Sequence, residues 1–164
     1  MRAGRVILTA LLAAAVLQIL YYYPQLPSTV ASHFGSGGRP SGWSTKEGFF
    51  GIYLGVLALL LASFVGLPVL FRRISPAWIN LPNKDYWLAP ERRDRTVRIL
   101  GEEMLWFGVA TSAFVICVFE LAIRANLSEA ARLSEPVMWL LLAAYLVYTV
   151  IWLIQFYRRF ARPR

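Results

Sequence analysis

The sequence predicts an all-α fold, an integral membrane bundle of four transmembrane helices with a Gly/Pro-rich extracytoplasmic loop between the first two. Three observations carry that reading. Hydrophobic residues make up 58% of the 164 residues and the mean hydropathy is +0.53, whereas soluble domains hold roughly 45–50% apolar residues. The apolar excess gathers into four blocks, each close to the roughly 20 residues that cross a bilayer. The basic residues, which give a net charge of +8, flank those blocks and form no patch of their own. That placement points to anionic lipid at a cytoplasmic face and away from nucleic acid. The chain 1–164 reads as a single domain.

The first span is predicted over 6–23. Arg2 and Arg5 precede it, and only Thr9 and Gln18 interrupt the apolar run. A cleaved signal peptide would share the basic start, and Thr29-Val30-Ala31 is a faint cleavage site. The run is longer than a usual signal core, however, and ends in Tyr21-Tyr22-Tyr23, an interfacial belt. It reads as an uncleaved helix. Pro24 and Pro27 stop it, since proline donates no N–H and biases its predecessor away from helix.

The stretch 24–47 is the most polar, glycine- and proline-rich connection, and it holds the single histidine, His33. Gly35, Gly37, Gly38 and Gly42 permit tight reversals. The expectation is a loop that holds His33 itself, with Phe34 and Trp43 buried against the tops of the first two helices and the imidazole turned inward. The alternative is a proton-sensitive contact, because histidine titrates near pH 6.5. Ser28 and Ser32 lie close to His33 in sequence, but neighbours in sequence seldom form a catalytic arrangement.

The second span is predicted over 48–71. Gly51 and Gly55 make a small-xxx-small face that lets another helix approach, and Pro68 is expected to kink the inner end. The connection 72–103 carries Trp78, Tyr86 and Trp87, rings suited to the headgroup level. Pro90 suits a first helical position, with Glu91 and Asp94 in the first turn. A helix should start there and continue into the third span, 104–123. Arg124 to Pro136 is short, the fourth span covers 137–157, and the tail Arg158 to Arg164 is basic.

Orientation follows from counting Lys and Arg. The N-terminus, the 72–103 connection and the tail hold two, seven and four of the seventeen. Arg39, Lys46, Arg124 and Arg132 make up the other side. The positive-inside rule then places both termini in the cytoplasm and the His33 loop outside.

No glycine-rich phosphate loop, paired histidines or serine elbow is present. Cys117 is the single cysteine, and one Cys with one distant His makes no metal site. The expectation is no cofactor and no enzymatic chemistry. Glu120 is the one acid inside an apolar block. It reads either as a transport site or as the partner of Arg124, four residues on, in a helical ion pair.

Leu26-Pro27, Val30-Ala31, His33-Phe34, Gly38, Pro40, Gly42 and Lys46, set between two apolar spans, resemble a bacterial membrane domain of unknown function that also forms the N-terminal part of SdpI-type immunity proteins. The resemblance covers residues 8–55, and Asn80 to Arg92 resembles a segment of stand-alone members. It implies a multi-pass inner-membrane protein. One SdpI-type protein protects its producer from a secreted toxic peptide and acts in signalling; this chain is shorter than those proteins. Three functions remain open: binding, sensing or immunity through the outer loop; an accessory subunit packed on a larger membrane complex or on a second copy; and a small transporter or membrane enzyme using Glu120 and His33.

Overall fold

The computed structural model describes residues 2–161. Of the basic tail, Arg162 to Arg164 lie outside the described residues. The element order is α1 (Arg2–Tyr22), β1 (Thr29–Phe34), β2 (Pro40–Thr45), α2 (Lys46–Leu70), α3 (Lys84–Trp87), α4 (Pro90–Leu127) and α5 (Glu135–Ala161). Four of these, α1, α2, α4 and α5, are long and apolar enough to cross a membrane. The predicted spans 6–23, 48–71, 104–123 and 137–157 fall on these four helices, with Tyr23 and Phe71 one residue past the ends of α1 and α2. α4 starts at Pro90 as expected, with Ala89 before it. At 38 residues it is about 57 Å long, well beyond a hydrocarbon core of about 30 Å.

α4 is the hub. α1, α2 and α5 each pack along it, and β1 and α3 meet its two ends. Close approach along α4 is set by missing side chains. A Cβ at Gly108 would lie 2.6 Å from the Phe64 Cβ, and Gly101 sits against Pro68. Gly4 of α1 likewise admits Leu105. The expected irregularity near Pro68 takes the form of a π-helical turn at Ala62–Gly66. Pro68 offers no N–H to the carbonyl four residues back, and a widened turn accommodates the break. Gly51 and Gly55 do not have the role read from sequence within this chain: both are exposed, and nothing lies within 4 Å of a Cβ built on either.

The connection 24–47 is not an irregular loop, and the fold is not purely helical. β1 and β2 form an antiparallel ribbon with Thr29 opposite Thr45, Val30 opposite Ser44 and Ala31 opposite Trp43. Further on, His33 faces Gly42 and Phe34 faces Pro40. These offsets leave Ser32 and Ser41 as extra residues at two bulges. Gly37 and Gly38 adopt φ of 74° and 67° in the turn, the left-handed region that glycine enters without strain. β2 then runs directly into α2, whose first turn is capped by Thr45 Oγ1 accepting from the Gly48 N–H at 3.1 Å.

At the other end of the bundle, residues 72–89 close over the C-terminus of α5. Asn83 Nδ2 donates to the carbonyls of Phe160 and Ala161, at 3.2 and 3.0 Å, and Trp87 Nε1 donates to Phe160 at 2.7 Å. The last carbonyls of a helix have no partner within it, and here a distant segment supplies one. Thr96 Oγ1 donates to the Trp87 carbonyl and Arg93 to that of Ile74. Ile79, Leu81, Leu88, Leu100 and Phe160 make a small apolar core beneath. Of the three rings read as interfacial anchors, Trp78 is exposed, Tyr86 lies under the Arg92 guanidinium and Trp87 packs edge-on against Phe160.

A Cβ at Gly38 would collide with the Leu133 carbonyl, so Gly38→Ala combines that overlap with a left-handed backbone. It should lower stability by roughly 2 kcal/mol or more. Gly51→Ala, with open space around it, should leave the melting temperature in detergent unchanged.

Candidate functional site

The hairpin end of the bundle brings together most of the residues that the sequence marks out. Its foundation is Glu120. One acid in an apolar helix must find donors, and three side chains supply them. Gln18 Nε2 donates to Oε2 at 2.7 Å, the Tyr22 hydroxyl donates to Oε1 at 2.8 Å, and Arg124 Nε donates to Oε1 at 2.5 Å. The Glu120–Arg124 pair is the helical ion pair that the spacing suggested. Gln18 in turn accepts from the buried Tyr53 hydroxyl at 2.6 Å, and the Tyr53 ring stacks on Phe119. One carboxylate thus joins α1, α2 and α4.

The ribbon sits on this foundation. Val30 and Ala31 are fully buried. The Ala31 N–H donates to Asn126 Oδ1 at 2.6 Å, and Asn126 Nδ2 donates back to the Ala31 carbonyl at 2.9 Å. Asn126 therefore behaves as one residue of a third strand along the β1 edge. The turn is held separately. The Gly37 N–H donates to Glu135 Oε1 at 2.6 Å, Arg132 Nε donates to the Gly37 carbonyl at 2.6 Å, and the Leu133 N–H donates to the Gly38 carbonyl at 2.9 Å.

The motif residues divide their labour within this arrangement. His33 and Gly42 are cross-strand partners, as are Phe34 and Pro40. A Cβ on Gly42 would lie 3.2 Å from the His33 ring, so the glycine makes room for the imidazole. Leu26 is buried in the core beside Val30 and Phe50. Lys46 Nζ donates to the Leu26 carbonyl at 3.3 Å and lies 4.4 Å over the Tyr23 ring. Pro27 is exposed. The Tyr23 hydroxyl donates to Glu47 at 3.0 Å.

Two expectations for the loop need correction. His33 does meet a polar neighbour of the loop, Ser32 Oγ at 3.2 Å from Nδ1, and its ring lies against Gly42 of the facing strand, but the residue is exposed and not buried within the loop. Trp43 is 58% exposed and does not pack on the helix tops, whereas Phe34 does join the core. The physical reason is the ribbon itself. Once Val30, Ala31 and Phe34 fill the inner face, the pleat and its bulges leave His33 and Trp43 outside. Beside the ribbon lies a groove of about 440 Å³, lined by Phe34, Gly38, Leu133, Met138, Trp139 and Leu142 among others.

Gln18, Tyr22, Tyr53 and Asn126 were not singled out by sequence. A lone glutamine in an otherwise apolar run is the signal that could have found the first. Among the described residues, no group of three His, Cys, Asp or Glu side chains gathers to hold a metal ion. Cys117 is exposed on α4.

A family model described as a domain of unknown function (DUF1648) matches residues 10–57, the stretch from within α1 through the ribbon into α2. No curated protein and no solved structure matches the chain.

Asn126→Ala should leave the buried Ala31 N–H and carbonyl unpaired, at a cost of roughly 1–3 kcal/mol, with faster hydrogen exchange at the Ala31 amide. His33→Ala, at an exposed ring, should change stability by less than about 0.5 kcal/mol. Thermal melting of both purified variants in detergent checks the pair. Equal destabilisation would mean that His33 carries structural weight the geometry does not give it.

Proposed function

We propose that this chain is a multi-pass protein of the bacterial inner membrane whose hairpin end binds a partner outside the cytoplasm, in a sensing or immunity role and without catalysis. The observation that carries the reading is the anchoring of the hairpin. Asn126, Arg132 and Glu135 hold it from outside, so it presents His33 and Trp43 to the surroundings on a rigid support with an apolar groove alongside. A preorganised surface binds without the cost of ordering a loop. The resemblance of the hairpin motif to SdpI-type immunity proteins supports the same role. Thirteen of the seventeen Lys and Arg residues lie at the end opposite the hairpin or in the tail, which supports cytoplasmic termini facing anionic lipid.

A second reading, an accessory subunit on a larger membrane complex or a second copy, is favoured by the open face at Gly51 and Gly55. Transport through Glu120 is the weakest reading, because Gln18, Tyr22 and Arg124 already occupy its carboxylate.

Two experiments test the proposal. With Cys117 replaced by Ala, Ser36→Cys should react with a membrane-impermeant maleimide on intact cells; labelling only after lysis would invert the orientation. A photo-crosslinking residue at Trp139, in the groove, should give a discrete adduct in cells that the same residue at Leu146, lower on α5, does not. Identical patterns from the two positions would count against recognition at the hairpin end.

A further inference from the structure

At the end of the bundle opposite the hairpin, residues of α3, α4 and α5 line a cavity of about 630 Å³. Four guanidinium groups line it: Arg92 and Arg95 from α4, and Arg158 and Arg159 from α5. Tyr86 and Trp87 form an aromatic wall. Arg159 is neutralised by Glu103. Arg92 donates its Nε to the Tyr86 carbonyl at 2.8 Å and lies 4.0 Å over the Tyr86 ring, an arrangement that orients the guanidinium without cancelling its charge. Arg95 and Arg158 have no acidic partner among the described residues. Three guanidinium groups with no ion-pair partner among the described residues thus share one concave site beside apolar walls, Arg92 half-buried and Arg95 and Arg158 exposed at its edge. Such a site calls for an anion, and planar guanidinium groups match the oxygens of a phosphate.

The position of the cavity indicates the source of that phosphate. The apolar run of α5 continues to Tyr157, and Arg158 follows at once. The cavity therefore sits where a membrane-crossing stretch gives way to charge, the level of phospholipid headgroups. We propose that it is a binding site for the phosphate group of an anionic phospholipid, a discrete site and not merely the diffuse attraction of a basic surface. The proposal rests on the membrane reading given above, but not on the orientation or on the role of the hairpin.

Native mass spectrometry of the full chain in mild detergent tests it, with phosphatidylglycerol, phosphatidylcholine and inorganic phosphate as probes. One phosphatidylglycerol should be retained about tenfold more tightly than phosphatidylcholine. Arg95→Gln with Arg158→Gln should abolish that preference. Arg73→Gln with Arg98→Gln, equal in charge and near the same end, should keep it. Equal loss in both double variants would reduce the effect to diffuse charge and overturn the site. Displacement of the lipid by inorganic phosphate would support the shared phosphate chemistry, whereas phosphate binding without any lipid preference would assign the site to a soluble ion and overturn the lipid source. The unaltered protein gives a reading independent of folding in the variants: phosphatidylglycerol, but not phosphatidylcholine, should slow hydrogen exchange across 84–96 and 155–159, and unchanged exchange would sink the proposal. These arms are read in detergent, so they stand or fall separately from surface labelling at residue 36.

Discussion

An acid placed in an apolar helix has to be satisfied, and Glu120 is the point from which the hairpin end of this protein is built. Its carboxylate draws Gln18 and Tyr22 of α1 and Arg124 of α4 to one place, and Gln18 brings in Tyr53 of α2. A half-satisfied network of this kind would cost more than an apolar core. The three helices are therefore locked in rotation as well as in distance. That lock fixes how α1 and α2 stand on α4, the base from which the ribbon between them rises. Apolar packing alone would be far more permissive, because lipid tails are as apolar as the helices they surround.

The two ends of the bundle follow a common logic. At each, side chains from a distant part of the chain close backbone groups that would otherwise lack partners. The ribbon edge at Ala31 is closed by an asparagine side chain from α4. The last carbonyls of α5 are closed by Asn83 and Trp87 from the connection before α4. α5 itself touches the rest mainly through α4, in a run of stacked rings that includes Phe107, Phe114, Tyr145 and Trp152. Its capped terminus and its contact with the hairpin turn thus hold the two ends of an otherwise peripheral helix.

The four long helices and the Glu120–Arg124 pair were legible in the sequence because both express a local period: a run of apolar residues, and a spacing of four. The ribbon was not. Its alternation is broken by the bulges at Ser32 and Ser41, and Pro40 sits at the start of β2, a residue that argues against a strand when read alone. The links that matter most at the candidate site are long-range. Gln18 to Glu120 spans 102 positions, Ala31 to Asn126 spans 95 and Gly37 to Glu135 spans 98. No local pattern announces such pairs. Gly51 and Gly55 show the converse: a recognisable spacing whose face no helix of this chain fills.

The separation between the hairpin turn and its clasp has a consequence for biogenesis. Gly37 is held by Glu135, 98 residues downstream. At a synthesis rate of about 5–20 residues per second, the turn leaves the ribosome some 5–20 seconds before its clasp does. Asn126 is translated only shortly before Glu135, so the edge of β1 also waits for α4 to be made. During that interval the nascent ribbon lacks both of its outside restraints, and a lone two-stranded ribbon is marginal by itself. The edge at Ala31 is then open to any chaperone or neighbouring strand, and the arrival of Asn126 and Glu135 closes that window.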